Sequence, residues 1–334
     1  MSATIKDVAR LAGVSISTAS IALSGKGPVS AETRERVLAA AEKLRYRPNA
    51  LARSLVTSHS HIVGLILPDL RDPYFHEIAS GVERVAWEAG YTLLLADTNR
   101  SPSKERAVVE AFRSHRVDGM IFAGSGREGE LGPLLDPADT APIVVLGRHH
   151  APLPSVRVDN AAAGRIATEH LLRLGRNRLS FVGGPADLTT SIDRAAGFQE
   201  AMRAAGRALD FTYVTEADFT PDGARRAVLA LLDRLEAEGK EFPDGVVAAN
   251  DQMAIGVLQA LRARGIPVPE NVAVVGIGDI PTATYVEPPL TTVALPTREM
   301  GEAAMDVLLR LMRGEKPPEE PVTLPVQLVR RGSA

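Results

Sequence analysis

The chain has 334 residues, 45% hydrophobic and 24% charged, a globular balance on a length that exceeds one ordinary core, so two or three domains are expected. It has no cysteine, which excludes disulfides, thiolate metal sites and cysteine nucleophiles. It also has no apolar run long enough for a secreted leader or a membrane span, so a soluble cytoplasmic protein is expected. The net charge of −3 is uneven: residues 1–60 hold nine Lys/Arg against four Asp/Glu, a surplus of +5 that leaves −8 for the rest. A basic head on an acidic body points to a polyanion partner for the head.

The head reads as three short helices. Thr4 followed by Asp7 is a capping-box start, and Ile5, Val8, Ala9, Leu11 and Ala12 form a stripe at helical spacing. Gly13 permits a sharp turn, after which Ser15 caps a second helix with Ala19, Ala22 and Leu23 inward. A loop at Gly25–Pro28 precedes a third helix capped by Ser30, with Val37, Leu38, Ala41 and Leu44 on its buried side. Two helices joined by Ala12-Gly13-Val14-Ser15 are the helix-turn-helix arrangement, whose second helix enters the major groove. A plain three-helix bundle would carry the same pattern. Pro48–Leu55, capped by Asn49, is a helix too short to be stable alone, and reads as a hinge.

From Ile62 the rhythm changes. Apolar strand-like runs at Ile62–Leu67, Tyr91–Ala96, Gly119–Ala123, Ile143–Leu146, Leu179–Val182, Gly245–Ala249 and Val272–Ile277 alternate with helices. The helices are Glu77–Ala89, Lys104–His115, Ala161–Leu174, Ala195–Ala205, Asp222–Gly239 and Gln252–Arg264. The alternation predicts an α/β fold with parallel sheets in two lobes. The expected domains are 1–48 (helix-turn-helix), 49–60 (hinge helix and linker) and 61–330 (two-lobed effector and dimerisation domain).

Several motifs fail on context. Gly124–Gly129 matches GxGxxG, but Gly132-Pro133 interrupts the helix it must open and no acid ends the next strand. His149-His150 lacks companion ligands, and Ser125 lacks the strand-turn-helix of a nucleophile elbow. No catalytic constellation, metal or cofactor is expected, so an enzyme is not.

Thr4–Ala9, Ala12–Ser15, Tyr46–Asn49, Asp118-Gly119, Val158–Asn160, Gly183–Pro185, Arg194–Phe198, Asn250–Ala254 and Pro288–Val293, in this order, resemble the lactose/galactose repressor family over roughly residues 4–330. The resemblance implies a homodimeric repressor on a near-palindromic operator. Its core is similar to a periplasmic sugar-binding protein, with a small-molecule effector between the lobes and hinge helices that fold on the operator. A periplasmic-type sugar-binding protein without a DNA role is the alternative, and it would have a leader and no basic head.

Carried over position by position, the resemblance implies base or phosphate contacts at Thr4, Ser15, Ile16, Ser17, Thr18, Ser20 and Ile21. It implies hinge contacts at Asn49, Ala52 and Leu55, with Leu55 as a minor-groove wedge or else a buried hinge leucine. Many members have arginine where this chain has Ile21, so the guanine contact of those members is not expected; Ile21 meets a thymine methyl or faces the bundle. The implied effector contacts are Asp72, Tyr74, Phe75, Arg148, Thr190, Arg194, Phe219, Asn250 and Asp279. Relatives commonly carry aspartates where this chain has Gly147 and Gly278. Arg148 and Arg194 then lack partners unless Asp72 or Asp279 supplies one. An acidic effector, such as a sugar acid, carboxylate or sugar phosphate, would supply the missing charge.

Overall fold

The computed structural model describes residues 3–24, 27–46, 59–123, 141–147 and 153–334, which fall into two compact units, Met1–Ser60 and His61–Ala334. Asn49, Ala52, Leu55, Arg148, the glycine-rich run at 124–129 and the histidine pair at 149–150 lie outside the described residues.

The first unit holds α1 (Ile5–Ala12), α2 (Ile16–Ser24) and α3 (Ala31–Lys43). The Asp7 carboxylate accepts from the Thr4 backbone N–H at 3.0 Å and from its hydroxyl at 2.7 Å, which opens α1. Gly13 closes α1 at φ 65°, a left-handed conformation that a side chain would strain. The core is Val8, Ala9, Ala12, Ala19, Ala22, Val37, Ala40 and Ala41, small side chains that let three short helices approach closely. Leu11 and Leu38, expected inside, are nearly half exposed. This alanine-rich interior has no room for them.

The second unit contains two six-stranded sheets. In the first lobe the order is β11 (Val322–Leu324), β5 (Ser155–Val158), β4 (Ile143–Leu146), β3 (Gly119–Phe122), β1 (Ile62–Leu67), β2 (Thr92–Asp97), all parallel. In the second it is β12 (Gln327–Val329), β10 (Thr291–Ala294), β9 (Ala273–Gly278), β8 (Gly245–Ala248), β6 (Leu179–Gly183), β7 (Val214–Glu216), with only β12 antiparallel. Helices α4 (Pro73–Glu88), α5 (Pro102–Ser114) and α10 (Thr297–Met312) cover the first sheet. Helices α6 (Asn160–Arg173), α7 (Thr189–Ala204), α8 (Pro221–Ala237) and α9 (Asp251–Ala263) cover the second. The chain passes between lobes three times, from β5 to α6, from β10 to α10 and from β11 to β12.

Strands β5, β7, β10, β11 and β12 and helix α10 add to the elements expected from sequence; the strands have only three or four residues each. Two helices start earlier than their apolar stripes suggest. The Asp72 carboxylate accepts from the Tyr74 N–H at 3.1 Å and starts α4 at Pro73. Helix α7 starts at Thr189, so Arg194 is a helical residue. No described helix is long and apolar enough to cross a membrane.

Helices α6 and α7 cross backbone to backbone. A Cβ at Gly164 would overlap the carbonyl oxygen of Arg194, and one at Gly197 that of Ala161. Gly81 and Gly301 serve the same purpose between α4 and α10. Glycine inside a helix costs about 1 kcal/mol relative to alanine, and here the close approach requires it. Gly197→Ala forces the helices apart or strains α6, at about 1–3 kcal/mol. Calorimetry of the full chain should show a lower thermal midpoint, and an unchanged midpoint would mean that the crossing is slack.

Candidate functional site

In the first unit, the face of α2 that meets solvent carries Ile16, Ser17, Ser20 and Ser24; Ile21 is half-buried and lies against Gly27. Ser15 stands at the helix start: its Oγ accepts from the Thr18 N–H at 3.0 Å and lies 2.8 Å from the Thr18 hydroxyl. Thr4, Ser15, Ile16, Ser17 and Ser20 are exposed, and Thr18 is half-buried. The helix has no charged residue. Among the described residues, the exposed basic side chains of the head are Lys6 and Arg10 on α1, Arg36 and Lys43 on α3, and Arg45 just beyond α3.

In the second unit, a cleft of about 970 Å³, counting its open mouth, lies between the lobes at the carboxyl ends of the strands. This is where open α/β sheets place ligands. Asp72, Tyr74, Phe75, Thr190, Arg194, Phe219 and Asn250 line it together, as do Gly147 and Gly278. Asp279, expected among the effector contacts, does not line it. At φ 60° it turns away and accepts from Arg331 at 2.5 Å.

Arg194 is 5% exposed. Its Nε donates to Asn160 Oδ1 at 2.9 Å and Nη1 donates to the carbonyl oxygen of Ala249. Both acceptors are neutral, and among the described residues no carboxylate forms an ion pair with it. Burial pushes the guanidinium below the ordinary arginine range, with Tyr74, Asp251 and Asp72 opposing that shift from a distance. Burial also raises Asp72 above the usual carboxylate range and pushes Tyr74 up to about 12. The Tyr74 hydroxyl points at the Met300 sulfur, 3.6 Å away, and its ring meets Phe75 edge-on at 4.9 Å.

Sequence reasoning passed over Arg100, Asn160, Thr189, Asp251 and Gln252, which also line the cleft. Arg100 reaches across from the first lobe and places its guanidinium 5.4 Å from the Phe219 ring centroid in the second. Both residues have positive φ, 56° and 63°. Asn160, Asp251 and Gln252 sit in or beside stretches already conspicuous in sequence (Val158–Asn160 and Asn250–Ala254), and the uninterrupted polar run Asn250-Asp251-Gln252 was the available signal. For Arg100 there was none, since its partner is 119 positions away. The N-terminal turns of α4, α6, α7 and α9 all open onto the cleft. Their dipoles favour negative charge there.

Asp251 is the most constrained acid. Its Oδ1 accepts from the Thr292 hydroxyl at 2.5 Å and its Oδ2 from the Ile280 N–H at 2.9 Å. A Cβ at Gly276 would collide with Oδ1.

Residues 4–49 match the model for bacterial regulatory proteins, lacI family, and residues 168–334 that for the periplasmic binding protein-like domain. The chain is 33% identical over 337 aligned positions to the HTH-type transcriptional regulator DegA of Bacillus subtilis, covering 100% of this chain and 98% of DegA. It is 34% identical to the ribose operon repressor of Escherichia coli, covering 99% and 100%. Among solved structures, it is similar to a lac repressor dimer bound to operator and the anti-inducer ONPF. There the TM-score is 0.90 at 26% identity, covering 100% of this chain and 99% of that one. A transcriptional regulator CelR–cellobiose complex is similar at TM-score 0.75 and 34% identity, covering 99% and 100%.

Burial pushes Asp251 from 3.8 up to about 6. Between about pH 4 and pH 6 the unfolded chain releases this proton while the folded chain keeps it, so stability falls as pH rises through the window. The loss totals about 3 kcal/mol and is complete above it. Asp251→Asn should remove this part of the pH dependence. Urea unfolding of both proteins at about pH 4.5 and pH 7 reads the difference, and equal slopes would exonerate Asp251.

Proposed function

The chain belongs to the lacI family of bacterial regulatory proteins, DNA-binding transcriptional regulators, and from that premise we propose a homodimeric repressor whose operator affinity is gated by an acidic small molecule in the interlobe cleft. The observation that carries the effector class is Arg194. A buried guanidinium that among the described residues is held only by an amide oxygen and a backbone carbonyl is costly unless a ligand brings the counter-charge. The four helix N-termini and Arg100 reinforce the preference for an anion. Asp72 and Asp251 oppose it, and burial disfavours the charge of both. A sugar acid, another carboxylate or a sugar phosphate fits, with Tyr74, Phe75 and Phe219 as apolar walls and Thr190 and Asn250 as polar contacts. Arg148 joins them by resemblance.

For the head, the reading assigns DNA contacts to Thr4, Ser15, Ile16, Ser17, Thr18, Ser20 and Ile21, and hinge contacts to Asn49, Ala52 and Leu55. Dimerisation is supported by the open edge of the first sheet. Among the described residues, strand β2 has no partner on its outer side, and Leu94 and Leu95 on it are each 36% exposed. Unpaired, apolar strand edges invite pairing.

The test uses the full chain and a palindromic duplex enriched from a random pool, followed by fluorescence anisotropy. Affinity should fall steeply with salt and respond to gluconate but not to a neutral hexose. Calorimetry is the direct readout of the effector, because Trp87 is 74% exposed and does not line the cleft. Arg194→Gln should weaken gluconate-type acids at least about 30-fold. Tight binding of a neutral sugar alone overturns the acidic effector. No DNA binding at low salt, with or without these ligands, overturns the repressor.

A double substitution, Leu94→Glu with Leu95→Glu, should convert the dimer to monomer in sedimentation while leaving acid binding intact. A persistent dimer would move the interface elsewhere.

A further inference from the structure

The solvent face of α2 lacks every side chain that distinguishes bases by paired hydrogen bonds. Arginine and lysine read guanine, asparagine and glutamine read adenine, and acids accept from cytosine. Ile16–Ser24 contains none of these. Its hydroxyls do not replace them, because a hydroxyl both donates and accepts and so pairs with any base edge. Ser24 Oγ is already committed to the Ile21 carbonyl at 2.9 Å and Thr18 is engaged with Ser15 at 2.8 Å, which leaves Ser17 and Ser20 facing outward.

What remains is apolar. Ile16 is 47% exposed, one residue past Ser15, in the first turn of the helix. This is the turn of a helix-turn-helix that reaches base edges. Ile21 is set back against Gly27, so Ile16 is the more prominent of the two. The major-groove feature that an aliphatic side chain distinguishes is the C5-methyl of thymine.

We propose that α2 selects its half-site through thymine C5-methyl groups seated against Ile16, and that this helix makes no bidentate guanine contact. The inference rests on the DNA-binding reading above, and the experiment separates the two. Duplexes are enriched from a random pool with the full chain, and the winning site is resynthesised with deoxyuridine in place of each thymine in turn. Deoxyuridine keeps the base pair and removes only the methyl. At the reading position the loss should be about fourfold, and about fifteenfold with both half-sites replaced. With Ile16→Ala, whose side chain lies outside the core of the head, the same replacement should cost less than about 1.5-fold because the methyl has lost its partner. Wild-type indifference to uridine at every thymine overturns the proposal, as does an Ile16→Ala protein that keeps the full penalty. Failure to enrich any sequence overturns the DNA-binding reading itself, and this inference with it.

Discussion

The close crossing of α6 and α7 is the contact on which the cleft depends. Without Cβ atoms at Gly164 and Gly197, the two helices touch through their backbones. That brings Asn160, the first residue of α6, within reach of Arg194 on α7. With a wider spacing the guanidinium would lose its amide partner and stand buried with one hydrogen bond. The glycine pair of α4 and α10 does the same for the opposite wall, where Tyr74 meets Met300. Each wall of the cleft is therefore rigidly braced by its own helix crossing.

This rigidity gives the electrostatics their meaning. A buried cation held by neutral oxygens has paid its desolvation without a counter-charge. A half-buried acid and a buried one lie nearby, but the first caps α4 and the second is anchored between Thr292 and Ile280, so neither is free to move over to Arg194. In the head the arrangement is reversed. The described cations are exposed on α1, on α3 and at Arg45, while α2 is uncharged. In the proposed reading, attraction to the DNA backbone and discrimination between bases fall to different parts of the head.

Much of this was legible in the sequence, and the failures have specific causes. The strand-helix alternation located both sheets because parallel strands buried on both faces read as apolar runs. Capping residues fix helix starts better than apolar stripes do: Asp72 and Asn250 mark theirs, whereas α7 begins six residues before its stripe. Leu11 and Leu38 fell on helical spacing yet face outward, because spacing does not reveal how little volume a core of alanines can hold. Of the nine effector contacts implied by resemblance, seven line the cleft together and Arg148 lies outside the described residues. Asp279 failed because a left-handed residue redirects its side chain, and a backbone angle is silent in sequence. The crossing glycines were silent too, since a mid-helix glycine reads only as a weak helix former.

The three passages between lobes bear on how the chain assembles during synthesis. The first lobe begins at β1, but its sheet is completed by β11, whose Val322 pairs with Val156 of β5, and its helical layer by α10. Nearly the whole second lobe emerges from the ribosome between those partners. The lobe that starts first is therefore closed only after nearly all of the second has been made. Until residue 324 arrives, the outer edge of β5 is unsatisfied, and its closure requires joining segments more than 160 residues apart, a slow step by the ordinary relation of contact order to rate. A nascent chain stopped at the end of the second sheet's helices would expose that edge, and this interval is when the protein most needs protection from aggregation.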